Sequence, residues 1–351
     1  MTRHPGRTAD RPLLVRCGAM GDMVLVTPIV RALYRRFGAP VDVVSSGSWA
    51  RPLLEGQEGV GEILLLDSRR RPYVFSPDQW RLVAALRARG VGPVWMCDLT
   101  EQTHALLARA GLGPERLVAA RDHPFGPREH VVDRYLRMAR EIPAAFAGSA
   151  PAPVEVEPKP ALRVADASRV DAAAWLEGRG LAGRPLVLLQ AGNKRTMRRF
   201  GRRQRATNVK YWPEERWARV IDGILERDPG VAVLLLGVET EKSLNEDVLR
   251  LVRRPGALNV AGEVPIPRLL ALQERARGMV SVDTGPAHSA AALDCPLVVL
   301  FSTADPDRIA PRSHGAPVEI LGGRIESLLG MDHGQVLAAW DRAVSGAVSA
   351  R

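Results

Sequence analysis

The stretch Met279–Phe301, MVSVDTGPAHSAAALDCPLVVLF, decides the fold that we predict for this chain. Its apolar residues as far as Val282 are typical of a buried strand, and Asp283–Gly285 has the composition of a tight turn that caps a helix. Pro286 suits the first position of that helix. The apolar run Leu297–Phe301 then predicts a second strand. The stretch therefore predicts a βαβ unit whose turn lies at the carboxyl end of a strand.

A turn of this kind can bind an anion, because free backbone N–H groups and the positive end of a helix dipole point to one place. Gly285 would let a ligand approach the backbone closely, and His288 could donate a hydrogen bond to the same anion. Asp283 and Thr284 could fix the loop or reach hydroxyl groups of a ligand. An ordinary crossover, in which Asp283 only caps the helix and His288 is a satisfied polar residue, fits the same residues.

Length and composition limit the possible classes of protein. The 351 residues are 46% hydrophobic, which predicts two domains with ordinary cores. The sequence contains no apolar run of about 18 residues, and its first residues, MTRHPGRTADRP, lack the apolar segment of a signal peptide. We therefore expect a cytoplasmic protein. Its three cysteines, Cys17, Cys97 and Cys295, have no metal-ligand spacing and predict reduced thiols.

The net charge of +10 favours an anionic partner, which could be nucleic acid, an acidic membrane surface or a phosphorylated substrate. Residues 194–210, KRTMRRFGRRQRATNVK, form a basic insertion with eight basic residues and no acidic residue. Such a run is commonly a solvated surface. Alternatively it is a mobile flap over an anionic ligand, or a contact to a membrane or an acceptor. Its few aromatic residues make nucleic acid a weaker interpretation.

The first half of the chain alternates strands and helices. A strand at Pro12–Arg16 leads into the loop Gly18–Asp22, which opens a helix that we expect to end near Gly38. The later elements that we predict are strands at Val41–Ser45, Ile63–Leu66 and Val94–Leu99, and helices at Asp78–Arg89, Thr103–Ala110 and His130–Arg140. This alternation predicts a parallel sheet covered on both faces. Asp22 stands at a helix start, where an acid commonly complements the helix dipole.

A second α/β half follows a linker rich in alanine and proline, Ala144–Pro160. Its predicted strands and helices are Pro185–Gln190, Glu214–Arg227, Val231–Leu236, Glu241–Val252, Ile266–Ala276 and the stretch quoted first. We place the first domain at residues 1–155 and the second at 156–329. A last helix, within 330–351, could pack back on the first domain. Two such halves predict a cleft between them.

Four short motifs occur in a definite order along the chain. They are Gly21-Asp22 after the first strand, Lys210-Tyr211-Trp212-Pro213 before a helix, Leu236-Gly237 followed by Glu241, and Asp283-Thr284-Gly285-Pro286-Ala287-His288. Together with HxxDR at His130–Arg134, they resemble glycosyltransferase family 9, the ADP-heptose lipopolysaccharide heptosyltransferases. The resemblance extends from about Leu13 to Leu329.

This resemblance implies a GT-B fold, an α/β architecture of two Rossmann-like domains whose parallel sheets face a central cleft. It implies an inverting, metal-independent transfer of heptose from ADP-heptose to a lipopolysaccharide core or related glycan. The carboxyl-terminal domain would bind the nucleotide sugar and the amino-terminal domain the anionic acceptor. No cofactor or metal is expected, and the enzyme could lie peripherally on the cytoplasmic face of the inner membrane.

The resemblance also assigns roles to individual residues. Asp22 matches the catalytic base of the family. The donor-binding positions are Lys210 for the pyrophosphate, Glu241 for the ribose, the Val264 backbone for the adenine, and Asp283, Thr284, Gly285 and His288 for the sugar and diphosphate. The acceptor-binding positions are Arg16, Gly21, His130 and Arg134. Gln190-Ala191-Gly192 departs from the family, which has hydroxyl-bearing residues beside the phosphates.

The chemistry of glycosyl transfer agrees with these roles. An oxocarbenium-like transition state needs a base for the incoming hydroxyl and positive groups for the leaving diphosphate. The nearest approach to a metal-binding DxD motif, Asp305-Pro306-Asp307, lies in a proline-rich loop that we interpret as structural. The alternatives are a GT-B transferase with another nucleotide sugar or a soluble acceptor, a basic nucleic-acid-binding protein, and an oxidoreductase. The oxidoreductase would need a GxGxxG turn, which neither half shows.

Overall fold

A computed structural model describes residues 11–67, 71–90, 92–193, 205 and 207–348. The chain divides into two compact units, with the boundary between Arg163 and Val164. We placed this boundary after residue 155, but the following residues are held to the first unit. Gln57 forms a pair of hydrogen bonds with the backbone of Arg163, at 3.0 and 2.7 Å. Arg31 donates to the carbonyls of Glu157 and Lys159.

The first unit is a parallel sheet with strand order β3-β2-β1-β4-β5. Its strands are β1 Leu13–Val15, β2 Val41–Ser45, β3 Val60–Leu65, β4 Val94–Met96 and β5 Leu117–Ala119. Its α-helices are α1 Met20–Leu25, α2 Thr27–Phe37, α3 Ala50–Leu54, α4 Pro77–Arg89, α5 Glu101–Arg109 and α6 Val131–Arg140. The strands β1 and β4 are apolar along their whole length because helices cover both faces of the sheet.

The helix that we predicted from the Gly18–Asp22 loop to Gly38 is in fact two helices. It breaks at Val26, between α1 and α2. Pro28 has no backbone N–H, so it cannot donate to the carbonyl of Val24 four residues earlier. The Thr27 hydroxyl donates to that carbonyl instead, at 2.9 Å. The break keeps α1 short, so that it ends one turn after Asp22.

The second unit is a parallel sheet with strand order β11-β10-β9-β6-β7-β8. Its strands are β6 Leu186–Gln190, β7 Ala232–Leu235, β8 Ala257–Asn259, β9 Gly278–Val282, β10 Leu297–Phe301 and β11 Val318–Gly322. Its α-helices are α7 Asp166–Glu177, α8 Glu214–Arg227, α9 Lys242–Leu249, α10 Ile266–Arg275, α11 Gly285–Ala292, α12 Pro306–Ile309 and α13 His333–Val348. The quoted stretch therefore folds as the βαβ unit that its sequence predicts.

The last helix, α13, packs into the core of the second unit. Val336, Ala339, Trp340 and Ala343 are buried in one cluster with residues of β6, β7, β9 and β10. This placement corrects our expectation that the helix could pack back on the first domain. The spacing of these four residues forms one apolar stripe, which a neighbouring sheet can bury completely.

Each sheet has a point at which the strand order reverses direction. In the first unit this point lies between β1 and β4, and in the second unit it lies between β6 and β9. Loops at the carboxyl ends of such strand pairs diverge and leave a crevice for a ligand. Among the described residues, no helix is both long and apolar enough to cross a membrane.

Candidate active site

In the first unit, Arg16 spans the crevice between β1 and β4. It follows β1, and its guanidinium donates to the Cys97 carbonyl after β4 at 3.4 Å and to Oδ1 of Asp22 at 2.7 Å. Oδ2 of Asp22 accepts the backbone N–H of Ala19, also at 2.7 Å. The Asp22 side chain remains 35% exposed. The carboxylate is therefore held in one orientation and still faces solvent.

The loop before α1 is shaped around this carboxylate. A Cβ atom at Gly18 would lie 2.5 Å from Oδ2 of Asp22, so that a larger residue there would displace the carboxylate. The Trp49 indole donates to the Gly18 carbonyl at 3.2 Å and holds the loop from the other side. Gly21 is buried within the first turn of α1. The predicted pair Gly21-Asp22 is thus part of a tightly packed turn.

The groups beneath the loop have fixed protonation states near neutral pH. Burial opposes the charge of Arg16, but the nearby Tyr135 and Asp22 outweigh this effect and raise its pKa. Burial raises the pKa of the Cys97 thiol to about 12 and also raises the pKa of the Tyr135 phenol. Arg16 is therefore a permanent cation, whereas Cys97 and Tyr135 are neutral.

His130 and Arg134 have internal contacts. Nδ1 of His130 accepts a backbone N–H at the start of α6, at 3.2 Å, and the residue is buried. Arg134 donates to the carbonyls of His123, at 2.7 Å, and Ala120. Its guanidinium also stacks on the Phe125 ring, 4.3 Å from the centroid. These contacts fix the segment after β5, and a contact of either residue with an acceptor stays a prediction.

In the second unit, Asp283 follows β9 and is the centre of a charged cluster. Lys210 Nζ donates to its carbonyl at 2.7 Å and to its carboxylate at 2.5 Å. Nε2 of His288 lies 3.8 Å from its other carboxylate oxygen. Burial of Asp283 would raise its pKa, but His288 and Lys210 outweigh this effect and lower it. Asp283 is therefore an ionised carboxylate at neutral pH, and it ties the predicted lysine and histidine to the same turn.

The first turn of α11 is open to a ligand. Thr284 is the N-cap residue, and no side chain in the described part of the chain forms a cap hydrogen bond there. Its hydroxyl lies 3.1 Å from that of Ser281. The helix begins at Gly285, and Nδ1 of His288 is buried with no hydrogen-bond partner among the described residues. The capping role of Asp283 in the ordinary-crossover interpretation is therefore not observed, and ligand binding at this turn stays a prediction.

Glu241, after β7, contributes a buried carboxylate whose bonding is incomplete. Its Oε2 accepts the Val238 N–H at 2.8 Å and lies 3.5 Å from the side-chain amide of Gln190. Its Oε1 is buried, and no described residue forms a hydrogen bond with it. Burial raises the pKa of Glu241. A buried acceptor without a donor is costly, which favours a polar ligand at this oxygen.

Gln190 and Gly192 lie beside Glu241, whereas the sequence analysis named them only as a departure from the family and assigned them no role. The Gln190 amide approaches Glu241, and a Cβ atom at Gly192 would lie 2.4 Å from Oε1 of the same carboxylate. Gly192 thus packs closely against the Glu241 carboxylate, and a larger residue there would displace it. A polar glutamine at the end of an apolar strand, followed by glycine, was the available signal.

Lys210 is held in place by asparagines. The Asn208 side chain donates to Oδ1 of Asn193, after β6, at 3.1 Å. It also accepts the Lys210 backbone N–H at 3.1 Å. Lys210 therefore reaches Asp283 from a short segment that is tied to the end of β6.

Arg205, in the second half of the basic insertion, lies within the described residues. Its guanidinium lies between two buried carboxylates, at 2.8 Å from Glu214 and 2.7 Å from Asp247. Residues 194–204 and 206, including the predicted flap, lie outside the described residues. Arg205 therefore anchors the chain on α8 and α9 and is not part of a solvated surface.

Three predicted donor residues, together with Gln190, lie along the carboxyl ends of four neighbouring strands. Asp283 follows β9, Gln190 ends β6, Glu241 follows β7 and Val264 follows β8. Val264 is half-buried. The structure brings Lys210, Asp283 and His288 together and places Glu241 beside Gln190.

The pair Asp305 and Asp307 is bound to an arginine. One nitrogen of Arg324 lies 2.7 Å from a carboxylate oxygen of each residue. Arg324 thereby forms an ion pair with one oxygen of each carboxylate. This arrangement supports the structural role that the sequence suggested for the Asp305-Pro306-Asp307 loop.

Comparison with known proteins agrees with this arrangement. Residues 115–322 match the family model described as glycosyltransferase family 9 (heptosyltransferase). This range includes Lys210, Glu241 and Asp283 but not Asp22. Lipopolysaccharide heptosyltransferase 2 of Salmonella typhimurium is 24% identical over 309 residues, which cover 85% of this chain and 84% of that protein. Lipopolysaccharide heptosyltransferase 1 of Escherichia coli is 34% identical over 101 residues, covering 28% and 30%.

Solved structures show the same fold. A family 9 glycosyltransferase from Veillonella parvula aligns with a TM-score of 0.74 and 17% identity, covering 96% of this chain and 98% of that one. The ADP-heptose heptosyltransferase II of E. coli aligns with a TM-score of 0.70 and 21% identity, covering 95% and 98%. The predicted fold class, GT-B with two Rossmann-like domains, is therefore confirmed.

Proposed function

The chain belongs to glycosyltransferase family 9, the heptosyltransferase family, and on this premise we propose that it transfers a heptose from ADP-heptose to a lipopolysaccharide core or related glycan. That it is a glycosyltransferase follows from the family. What we propose beyond the family is that the donor is ADP-heptose, that the transfer inverts the anomeric configuration, and that it needs no metal. The proposal rests on the row of polar groups at the carboxyl ends of β9, β6, β7 and β8 in the second unit, which could bind a nucleotide.

We assign the nucleotide to these groups by their chemistry. The diphosphate would bind at the open first turn of α11, where backbone N–H groups and the helix dipole favour an anion. Lys210 uses two of its three ammonium donors on Asp283, so the third is available to a phosphate oxygen. A ribose hydroxyl would donate to the unpartnered Oε1 of Glu241. The adenine would then lie along the backbone at Val264.

The proposed reaction requires one base and one stabilised leaving group. The acceptor hydroxyl attacks the anomeric carbon on the face opposite the bond to the diphosphate, and that bond breaks with both electrons going to ADP. Asp22 takes the proton of the hydroxyl. Lys210, His288 and the N–H groups of α11 stabilise the negative charge on ADP. A single displacement of this kind inverts the configuration at the anomeric carbon.

Arg16 would position the base. Its 2.7 Å ion pair with Asp22 fixes the orientation of the carboxylate. The cationic groups of the second unit would supply the charge stabilisation that a divalent metal supplies in other transferases. We therefore propose that the transfer needs no metal, and that the acceptor is an anionic glycolipid at the cytoplasmic face of the membrane.

Nucleotide selectivity tests this proposal. Purified protein is heated with ADP, UDP or GDP, and we expect ADP to raise the melting temperature most. A ligand at about 100 times its Kd adds about 2.7 kcal/mol to the free energy of unfolding, which is readily measured. Equal protection by UDP or GDP would contradict an ADP-sugar donor and favour a GT-B transferase with another nucleotide sugar. Turnover with ADP-heptose and a core acceptor should be unchanged by a chelator.

A further inference from the structure

A short turn in the first unit exposes large apolar side chains. The 3₁₀ helix Tyr73–Phe75 precedes α4, and its Val74 is 63% exposed and its Phe75 is 73% exposed. Trp80, in the first turns of α4, is 45% exposed. We call Val74, Phe75 and Trp80 the apolar patch. Large apolar side chains clustered at a surface commonly mark an interaction site.

The turn projects from the surface of the unit. A 3₁₀ helix has three residues per turn, so consecutive side chains point about 120° apart. Val74 and Phe75 are both exposed, so two of the three sides of the turn face solvent. The third residue, Tyr73, lies against the unit, with the Arg109 guanidinium 4.5 Å from its ring centroid.

The patch is also held in shape. The Ser76 hydroxyl donates to the Pro72 carbonyl at 2.9 Å, and the Trp80 indole donates to the Tyr73 carbonyl at 2.7 Å. The second bond ties the Trp80 ring to the turn that carries Val74 and Phe75. The apolar side chains are therefore presented together, and little conformational entropy would be lost when they are buried.

Exposed arginines lie close to the apolar patch along the sequence. Arg71, Arg81 and Arg87 are exposed, and none of the ion pairs between described residues involves them. Between residues 71 and 90 the one acidic residue is Asp78, which is half-buried, and the exposed Asp67 precedes this range. The surface thus combines projecting apolar side chains with an excess of positive charge.

We propose that the apolar patch docks this protein on an anionic membrane surface, with Val74, Phe75 and Trp80 in the headgroup region and the arginines at lipid phosphates. Aromatic side chains favour the membrane interface, and basic residues beside them add attraction to anionic lipids. A projecting turn enters a fluid bilayer without a matching pocket, which a protein partner would have to supply. The proposal does not depend on the identity of the sugar donor.

Vesicle flotation tests this surface directly. The vesicles contain phosphatidylcholine alone or with phosphatidylglycerol, and they contain no glycolipid, so that binding reports on the bilayer and not on the acceptor. We expect wild-type protein to bind the anionic vesicles and to dissociate as salt is added. The double variant Val74→Ser/Phe75→Ser should bind at least about tenfold more weakly, since it loses two buried apolar side chains.

Matched variants separate docking from general effects. Val170 is 70% exposed on α7 of the second unit, so Val170→Ser removes an exposed valine similar to Val74 and should bind like wild type. Arg81→Gln should weaken binding severalfold, whereas Arg219→Gln, an exposed arginine of α8, should change it less. The melting temperature without ligand should stay close to that of wild type in all of these variants, which shows that they fold and keeps this test independent of the proposed function.

Two results would overturn the proposal. Undiminished vesicle binding by Val74→Ser/Phe75→Ser would place the membrane contact elsewhere on the chain. Failure of wild-type protein to bind either kind of vesicle would assign the apolar patch to a protein partner.

Discussion

Both units have a crevice where the strand order reverses, but the carboxylates beside the two crevices differ in burial and in hydrogen bonding. In the first unit the key carboxylate, Asp22, has both oxygens bonded and its side chain is 35% exposed. In the second unit the Asp283 and Glu241 carboxylates are buried, and Glu241 keeps one oxygen without a partner among the described residues. A satisfied, exposed carboxylate suits proton transfer, whereas buried and incomplete bonding suits ligand recognition.

This difference shows how one fold can support two tasks. A parallel sheet with a reversal of strand order provides two diverging loops in either unit. In our proposal, the burial of the polar groups on those loops separates the chemistry of the first unit from the nucleotide binding of the second. We therefore expect substitutions in the first unit to change turnover, and substitutions in the second unit to change nucleotide affinity.

The largest expected effect is on turnover in the first unit. Asp22→Asn should lower it by about 100-fold or more, which is the usual scale for loss of a general base, with ADP affinity nearly intact. The asparagine oxygen can still accept the Ala19 N–H, so the fold should be kept. Steady-state kinetics with ADP-heptose and a core acceptor measure the change. Glu58→Gln, at an exposed carboxylate of the same unit, is the control. Turnover near that of wild type would remove Asp22 from the mechanism.

Glu241→Gln should weaken ADP binding by about tenfold, because the charged acceptor for the ribose is lost. Isothermal titration calorimetry measures this affinity. Glu239→Gln, an exposed neighbour in the same turn, should leave it unchanged. Affinity equal to wild type in the Glu241 variant would show that this carboxylate does not contact the nucleotide.

The same substitution should stabilise the protein without ligand. Burial raises the pKa of Glu241, so the folded state binds this proton more tightly than the unfolded chain does. Stability therefore falls as the pH rises from the unfolded pKa of about 4.3 through the higher folded pKa. Glutamine does not titrate, so Glu241→Gln should melt above wild type at neutral pH, and the difference should shrink on acidification. Thermal melts across this pH range measure the difference in melting temperature between the two proteins. A difference that does not change with pH would contradict a raised pKa of Glu241.

His288→Ala should have the smallest effect, a loss of about threefold in ADP affinity. Backbone N–H groups of α11 would provide most of the phosphate contact, and the histidine would add one hydrogen bond. His333→Ala, in the same unit but at the start of α13, serves as the control. Complete loss of ADP binding in the His288 variant, with the melting temperature unchanged, would mean that the side chain and not the helix terminus holds the diphosphate.

The strongly patterned elements were predictable from sequence, and the weakly patterned ones were not. The strand β10 and the helix α8 were predicted at their observed bounds because long apolar or periodic runs identify them. The strands β5 and β8 were missed, although β1 and β4 are as short, because they contain alanine or asparagine where β1 and β4 have only large apolar residues. Helix α7 was missed because only Ala172 and Leu176 on it are buried, which leaves hardly any apolar stripe.

By itself the sequence determined the order of the motifs, the Asp283-Thr284-Gly285 turn between a strand and a helix, and the family that these residues indicate. These are properties of neighbouring residues, and local turn and helix chemistry is sufficient to produce them. Tertiary structure alone decided that Lys210 binds Asp283 at a separation of 73 residues, and that Gln190 meets Glu241 at a separation of 51. Such contacts depend on the order in which strands pair, and no local pattern specifies that order. For the same reason, only the folded chain showed that one oxygen of Glu241 is buried without a described partner.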